Sequence, residues 1–279
     1  MDEPLPISVF IISRNEAARL DRTFRALAFA DDIVLVDSGS TDGTQAIAAR
    51  HGARVLHHDW RGYGPQKAFA ERACHHPWRL NVDADEEVTP QLRDEIAAVV
   101  QANTPPTAFT IAILNVYPGE TAPRPFANDY RVVRFYHRDA GAYRDHPLFD
   151  RVEVRPGIPV EALRGPIHHH PFVSWEALAT KLNSYTSYSA KEGRLRSRTV
   201  LLLRLPLEFP AVFLKSYILR RHIFGGWKGF SFAVVQAFFR TLRIVKLLER
   251  HEAAANASER EGQAASEPSP PASSHEKAR

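Results

Sequence analysis

The sequence predicts an α/β fold with a mostly parallel sheet flanked by helices. The main observation is that short apolar runs alternate with helical patterns through residues 7–103, as expected when parallel strands are joined by helices. The second is composition: 44% of the 279 residues are apolar and 24% are charged, which is ordinary for a chain that buries a core. Collagen-like, fully disordered and disulfide-stabilised proteins are therefore excluded, and the single cysteine, Cys74, cannot form an internal bridge.

Four predicted strands and four predicted helices alternate through residues 7–103. The first helix begins near Glu16 and places Leu20, Phe24 and Leu27 on one face, at helical spacing. Pro90 suits the first turn of the last helix, because proline has no backbone N–H to lose there. The predicted strands are 7–12, 33–36, 54–56 and 79–82, and the helices that follow them begin near 16, 42, 66 and 90.

The chain changes character twice after this region. From 104 to 173, frequent Pro and Gly and short strands at 132–136 and 151–155 predict a smaller mixed region on one side of the sheet. From Ser174 the chain is helical and basic, with twelve Lys and Arg against two Glu between 194 and 250. We therefore expect three parts: a sheet domain over 1–173, a basic amphipathic helical region over 174–251 and a disordered tail over 252–279.

Neither a secretory signal nor a transmembrane helix is predicted. Residues 1–4 are acidic, whereas a secretory signal begins with basic residues. No window reaches the ~18 uninterrupted apolar residues of a spanning helix, and the nearest, 230–239, stops at Arg240. We therefore expect a cytoplasmic protein.

A first group of carboxylates follows the strand that ends at Val36. In open α/β sheets, ligands bind beyond the carboxyl ends of the strands. Asp37 is placed there to accept hydrogen bonds from a nucleobase or a ribose, and the small residues after it let a ligand approach the backbone. The alternative is a plain turn in which Thr41 or Asp42 caps the next helix.

A second group, Asp83-Ala84-Asp85, follows the strand 79–82. Two carboxylates at a strand end can hold a divalent cation such as Mg²⁺, which takes its other oxygens from substrate phosphates and water. Such a cation neutralises the charge that develops on a departing diphosphate. The alternative is a solvated acidic turn.

Taken together, these segments resemble the nucleotide-sugar half of the family 2 glycosyltransferases, which have the GT-A fold. The resemblance is closer to a bacterial subgroup, the lipopolysaccharide-core β-glucosyltransferase-like proteins, and it covers roughly residues 7–250. The segments that carry it are 13–16, 36–44, 62–70 (GYGPQKAFA), 83–86, 181–185, 217–220 and 225–230.

The resemblance implies a UDP-sugar pocket and a metal ligand. Asp37 would contact the uracil or ribose, Asp83 would lie near the ribose and donor sugar, and Asp85 would coordinate Mg²⁺ or Mn²⁺ at the diphosphate. Lys67 would add a positive charge near the diphosphate or donor sugar, although a solvated helix lysine is the alternative. The other residues expected in the nucleotide-sugar pocket are Ser13, Asn15, Glu16, Ser38, Asp42 and Gln66.

Enzymes of this family invert the anomeric centre, so they need a general base for the acceptor hydroxyl, and a carboxylate suits that role. Related sequences carry a His-Glu or His-Asp pair before a Val-x-Val strand, but here Phe149 stands where the histidine is expected. Asp150 is the first candidate for the base and Asp145 the second. His146 replaces the missing histidine or is a loop residue.

The three histidines 168–170 suggest a metal site, but adjacent histidines rarely converge on one zinc ion. The resemblance implies instead that His169 faces the diphosphate or its metal, and a surface cluster is the alternative.

Apolar residues alternate with Lys and Arg through the C-terminal helices, which favours docking on an anionic membrane surface. Packing against the catalytic domain or a second subunit is the alternative, and nucleic acid is the least favoured partner because of the apolar content.

The sequence thus predicts a metal-dependent inverting glycosyltransferase on the cytoplasmic face of the bacterial inner membrane. It would move a hexose, glucose from UDP-glucose, onto a lipid-linked saccharide such as the lipopolysaccharide inner core, forming a β linkage. The alternatives are a nucleotidyltransferase of the same architecture, against which the absence of a Gly-rich basic loop in segment 7–19 argues, and an inactive membrane adaptor.

Overall fold

The computed structural model describes residues 3–127, 129–146, 150–192 and 196–266. The chain forms two compact units, Met1–Leu178 and Ala179–Arg279. The helices of the first unit are α1 (Ala17–Ala26), α2 (Thr44–Arg50), α3 (Tyr63–Arg72) and α4 (Pro90–Gln101). Its strands are β1 (Leu5–Ser13), β2 (Ala30–Asp37), β3 (Arg54–His57), β4 (Trp78–Asn81), β5 (Glu86–Val88), β6 (Ala108–Asn115), β7 (Asp129–His137), β8 (Gly141–Tyr143), β9 (Val152–Val154), β10 (Val160–Ala162) and β11 (Ile167–His169).

The main sheet has the order β3-β2-β1-β4-β7-β6-β11-β5, with β10 also paired to β6. Strands β1 to β4 are mutually parallel, whereas β7 is antiparallel to both β4 and β6. The predicted α/β fold with flanking helices is therefore confirmed. No sequence pattern singled out β6, which lies in the interior of the sheet between β7 and β11.

The helices form where the sequence pattern places their apolar faces. Leu20 and Phe24 of α1 are almost fully buried, and so is Leu27 just beyond its end. Burial of each such side chain stabilises the fold by about 1.5–3 kcal/mol. Helix α4 starts as predicted at Pro90, after Thr89, whose hydroxyl accepts a hydrogen bond from the backbone N–H of Leu92 at 3.3 Å.

The second unit contains the C-terminal helices. Helix α5 (Trp175–Glu192) begins just before the unit boundary, and α6 (Arg198–Leu214) and α7 (Gly226–Ser266) follow. Apolar side chains of α5, α6 and α7 form one cluster, and Lys246 of α7 donates to the side chain of Asn183 of α5 at 2.8 Å. In the described parts of the chain, no helix has the length and apolar character needed to cross a bilayer.

Helix α7 continues past residue 252, where the sequence analysis begins the disordered tail. Residues 251–266 are rich in Ala and Glu, which are strong helix formers. Residues 267–279 lie outside the described residues, so the disorder of that segment stays a prediction.

Candidate active site

The carboxyl ends of β1, β2 and β4 meet at one edge of the sheet. Ser13 and Asp37, the last residues of β1 and β2, are register partners. Just beyond β4, the backbone N–H of Val82 donates to the carbonyl of Phe10 in β1 at 3.3 Å. The two acidic groups singled out in the sequence therefore lie at the same edge, where α/β folds bind ligands.

Asp37 is fully buried and organises the turn that follows it. Its Oδ1 atom accepts hydrogen bonds from the backbone N–H groups of Gly39 (3.0 Å) and Ser40 (2.8 Å) and from the Gln45 amide (2.7 Å). Its Oδ2 atom accepts from the hydroxyls of Ser13 (3.1 Å) and Ser40. Burial by itself disfavours the ionised form, but the hydrogen bonds outweigh it and hold the pKa of Asp37 below its usual value. We call residues 37–44 the Asp37 turn.

The start of α1 is tied to the Asp37 turn. Asn15 has a left-handed backbone with φ of 56°, and its Oδ1 atom accepts a hydrogen bond from the backbone N–H of Thr41 at 2.8 Å. Asp42 accepts from the backbone N–H of Ala17 at 3.1 Å and from the Thr44 hydroxyl at 2.5 Å. Asp42 thus satisfies a backbone N–H of α1, while the N-cap position of α2 is Gly43 and Asn15 stays exposed on the rim.

The second acidic group centres on Asp83, which contacts two buried cations. One guanidinium nitrogen of Arg134 lies 2.7 Å from Asp83 Oδ2, and Lys67 Nζ lies 3.1 Å from Asp83 Oδ1. Burial opposes ionisation, but the charges of Arg134 and Lys67 outweigh it and hold the pKa of Asp83 well below its usual value. Lys67 is itself buried, which lowers its pKa, but the charges of Asp83 and Asp150 outweigh burial and raise the pKa above its usual value. Lys67 is therefore an ammonium and not the solvated helix lysine of the alternative interpretation.

Lys67 also joins Asp83 to the first candidate base. Its Nζ atom lies 2.8 Å from Asp150 Oδ1, and the Asp150 side chain is 44% exposed. We call Lys67, Asp83, Arg134 and Asp150 the Asp83 cluster. All four line a cavity of about 620 Å³. No contact among the described residues joins Asp145, which is exposed, to this cluster, and Phe149 lies outside the described residues.

Arg134, which the sequence analysis did not single out, holds the Asp83 cluster in place. It is buried in β7 and donates to Asn81 Oδ1 and to Glu86 Oε1 (3.1 Å) in addition to Asp83. Burial raises the pKa of Glu86 to about 7, with the charge of Arg134 acting in the opposite direction. A charged residue inside the apolar run 132–136 was the available signal, because a buried arginine is rare without carboxylate partners.

Asp85 and His169 come together from two different strand ends. His169 Nε2 lies 3.3 Å from Asp85 Oδ2, and His169 Nδ1 lies 2.8 Å from the Asn115 side-chain oxygen. Burial lowers the pKa of His169, but the hydrogen bond to Asp85 outweighs it and raises the pKa above its ordinary value. Arg19, also missed in the sequence, donates to Asp85 at 3.1 Å and to Glu16 at 2.9 Å, and so links two predicted site residues.

The pair Asp85 and His169 fits a divalent cation. A carboxylate oxygen and a ring nitrogen face each other, and the other ring nitrogen is bound to Asn115, as is usual for ligating histidines. Within the described ranges no three acidic, histidine or cysteine side chains converge, so the remaining ligands of a cation there would be substrate phosphates and water.

Gln66 and Ser38, the remaining predicted nucleotide-sugar residues, also make hydrogen bonds within the protein. Gln66 is fully buried and makes hydrogen bonds of 2.7 and 2.9 Å to the ring and carbonyl of His58, so it braces the connection between β3 and α3. Ser38 is half-buried and donates to the carbonyl of Ser13 at 3.2 Å. The structure therefore brings Asp83, Lys67 and Asp150 together, whereas the Gln66 side chain is directed into the protein.

The α/β sheet carries its acidic groups at the carboxyl ends of parallel strands, where such folds bind ligands, and comparison with known sequences gives the family. The sequence profile described as "Glycosyl transferase family 2" matches residues 8–164. The chain belongs to the family 2 glycosyltransferases, and the resemblance stated from the sequence is confirmed.

The similarity to known proteins extends beyond residues 8–164. An uncharacterised glycosyltransferase of Rickettsia felis is 35% identical over 254 residues, which cover 87% of this chain and 89% of the relative. The lipopolysaccharide core biosynthesis glycosyltransferase LpsC of Rhizobium meliloti is 30% identical over 253 residues, which cover 88% and 93%. Among solved structures, S. aureus TarS 1-349 in complex with UDP has 14% identity and a TM-score of 0.45 over 90% of this chain and 92% of that one, too distant to place a ligand here.

Proposed function

We propose that this chain is a metal-dependent, inverting hexosyltransferase that moves glucose from UDP-glucose onto a lipid-linked saccharide, such as the inner core of lipopolysaccharide, with formation of a β linkage. The observation that carries the proposal is the pairing of Asp85 with His169 at the same sheet edge as the Asp83 cluster. The similarity to LpsC over most of the chain supports the lipopolysaccharide acceptor.

The donor would bind along the carboxyl edge of β1, β2 and β4. The Asp37 turn shapes the pocket for uracil and ribose, with Asn15, Glu16 and Ser38 on its rim. Asp83, which contacts Arg134 and Lys67, would lie beside the ribose and donor sugar. Asp85 and His169 would hold Mg²⁺ or Mn²⁺, which offsets the negative charge of the departing diphosphate.

Asp150 would act as the general base. It accepts the proton of the acceptor hydroxyl while the hydroxyl oxygen forms a bond to the anomeric carbon, and the bond between that carbon and the diphosphate oxygen breaks. Lys67, at 2.8 Å, positions the Asp150 carboxylate beside Asp83. Attack opposite an α-linked leaving group gives a β product. Catalysis of this displacement would rest on positioning, electrostatics and one base.

A lipid-linked acceptor requires the enzyme to work at a membrane surface. Exposed apolar side chains interleaved with Lys and Arg on α6 and α7 support docking on an anionic surface. We therefore place the protein at the cytoplasmic face of the bacterial inner membrane, where nucleotide sugars are made.

Calorimetry of the purified chain with UDP-glucose, UDP-galactose and CTP, each with and without Mn²⁺, tests the proposal. We expect Mn²⁺-dependent binding of UDP-glucose and loss of the Mn²⁺ dependence in Asp85→Asn. The matched control is Asp94→Asn on α4, a mostly exposed carboxylate paired only with Arg93 in the described structure, which should bind as the wild type does.

Other outcomes point elsewhere. Preference for CTP would favour a nucleotidyltransferase, and absence of nucleotide binding even with lipid vesicles present would favour an inactive adaptor. If Asp85→Asn keeps Mn²⁺-dependent binding, the metal assignment is wrong. An α-configured product in the NMR spectrum of the reaction would contradict inversion.

A further inference from the structure

Two short helical turns connect α6 to α7. A π-helical turn (Lys215–Leu219) follows α6, a 3₁₀ turn (His222–Gly225) comes next, and α7 starts at Gly226. Arg221, between the two turns, has a left-handed backbone with φ of 58°. We call residues 214–230 the hairpin tip.

Aromatic contacts hold the hairpin tip in one conformation. The ring of Phe230 packs edge-on against Tyr217, with ring centres 5.8 Å apart, and likewise against Phe213 of α6 at 5.6 Å. The ring of His222, which is buried, stacks on Phe232 at 4.8 Å. The side chains that face solvent here are therefore presented by a packed scaffold.

The hairpin tip exposes an unusual amount of apolar surface for its length. Leu219 is 73% exposed and Trp227 is 67% exposed. The other large apolar side chains exposed in the tip are Leu214, Ile218, Ile223, Phe224 and Phe230. The described part of the first unit exposes six such side chains, and they are spread over residues 60–173. Such a concentration of exposed large apolar side chains in one short segment marks an interaction site.

The charge of the same surface identifies the partner. Lys215, Arg220, Arg221 and Lys228 lie in the tip, and the sequence has no Asp or Glu between Glu208 and Glu249. Docking of two tips on each other would bring like charges together without acidic partners, which disfavours a second copy as the occupant. An anionic lipid surface satisfies both features, because its headgroups attract the cations and its acyl boundary takes up the apolar side chains.

We propose that the hairpin tip is a membrane-docking element, with Ile218, Leu219, Ile223, Phe224 and Trp227 inserted below the headgroups of an anionic bilayer. Lys215, Arg220 and Arg221 would bind the headgroups. This inference rests on the proposed function, because docking would bring the enzyme to its lipid-linked acceptor. Docking itself can be measured without turnover.

Co-sedimentation of the full chain with phosphatidylglycerol–phosphatidylcholine vesicles tests the proposal, with pure phosphatidylcholine as the comparison. We expect binding to depend on phosphatidylglycerol and to weaken with salt. Removal of two cations in Arg220→Gln/Arg221→Gln should reduce affinity about 25-fold, since each cation near the surface contributes roughly fivefold. Leu219→Ser/Trp227→Ser should reduce it at least as strongly.

Two control variants remove the same kinds of side chain, one apolar and one cationic, outside the hairpin tip. Val173→Ser removes an exposed apolar side chain of the first unit, and Arg25→Gln removes a cation that is 75% exposed on α1. Both should bind vesicles as the wild type does, and circular dichroism establishes that each variant is folded. Quenching of Trp227 fluorescence by lipids brominated on the acyl chain, absent in Trp227→Phe, would support insertion.

Wild-type affinity in both tip variants overturns the proposal. A tip-dependent dimer in sedimentation velocity, without vesicle binding, overturns it in favour of a second copy. Vesicle binding that is intact in a protein without nucleotide binding would leave docking standing and remove the transferase proposal, so the two fail separately.

Discussion

The two acidic groups at the sheet edge look alike in sequence and differ in how they are stabilised. The Asp37 carboxylate is held by five hydrogen bonds from neutral backbone, hydroxyl and amide donors. The Asp83 carboxylate is held by two buried cations, one of which also binds Asp150. Neutral donors fix the shape of a turn, whereas a cluster of charges fails when one member is removed. We therefore expect Asp37 to define the pocket and the Asp83 cluster to govern chemistry and stability together.

The largest effect should be on kcat and should come from removing the proposed general base, Asp150, from the Asp83 cluster. Loss of a general base costs about 10²–10⁴-fold in turnover, so Asp150→Asn should lower kcat by that factor while leaving UDP-glucose binding in place. Transfer of labelled glucose from UDP-glucose to a saccharide acceptor measures the rate, and calorimetry measures donor binding.

Asp145→Asn is the matched control for this prediction. It removes a nearby exposed carboxylate that has no described contact with Lys67, and turnover should stay near the wild-type rate. An equal loss in both variants, or a larger one in Asp145→Asn, would transfer the role of base to the second candidate.

Next in size is the loss of the buried arginine. Arg134→Leu leaves Asp83 and Glu86 without their cation, and breaking a buried ion pair in this way costs about 3–5 kcal/mol. Urea unfolding followed by tryptophan fluorescence measures the change, with Trp78 reporting from the core. Arg93→Leu, which breaks an exposed pair on α4, should cost at most about 1 kcal/mol. Similar losses in both would mean that Arg134 does not hold the cluster.

The sequence predicted the parallel half of the sheet and its ligand-binding edge because these depend on local patterns. Apolar runs end at Val36 and Val82, and acidic residues follow each run directly. The strand and helix positions of this half agree with the structure to within a few residues, and α3 starts earlier, at Tyr63 instead of about 66.

The rest depends on pairings between residues far apart in the chain. Arg134 meets Asp83 only because β7 pairs antiparallel with β4, a register that no local pattern reveals. Arg19 meets Asp85 through the approach of α1 to the loop after β4, again across a long sequence separation. Gln66 lies beside Lys67 in a recognisable motif, but helix geometry sends the two side chains in different directions.

A smaller effect is expected at the Asp37 turn. Asp37→Asn keeps the shape of the side chain but replaces a charged acceptor by an amide, and hydrogen bonds to a charged group contribute about 1.5–3 kcal/mol. We therefore expect a loss of unfolding free energy in that range, below that of Arg134→Leu. Asp59→Asn, at an 86% exposed carboxylate, should have almost no effect on the same urea curve. A loss as large as that of Arg134→Leu would remove the distinction between the two groups.

The smallest effect is a difference in the shape of the pH profile of stability. The folded pKa values of Asp37 and Asp83 lie below their unfolded values, which are about 3.9. Each therefore stabilises the fold above about pH 4 and loses that contribution as the pH falls through its folded pKa. Glu86 has the opposite sign, because its pKa is raised to about 7: its contribution is present at low pH and is lost as the pH rises through that value.

The variants separate these contributions. In Arg134→Leu one of the two cations that lower the pKa of Asp83 is gone, so the part of the stability loss below pH 4 that comes from Asp83 should shrink while the part from Asp37 stays. In Asp37→Asn the part from Asp83 should stay, and the loss below pH 4 should be larger than in Arg134→Leu, because two cations depress the pKa of Asp83. Unfolding free energies measured from pH 2 to 8 for both variants test this. An equal loss of unfolding free energy below pH 4 in the two variants would mean that neutral donors and buried cations stabilise the two carboxylates to the same degree.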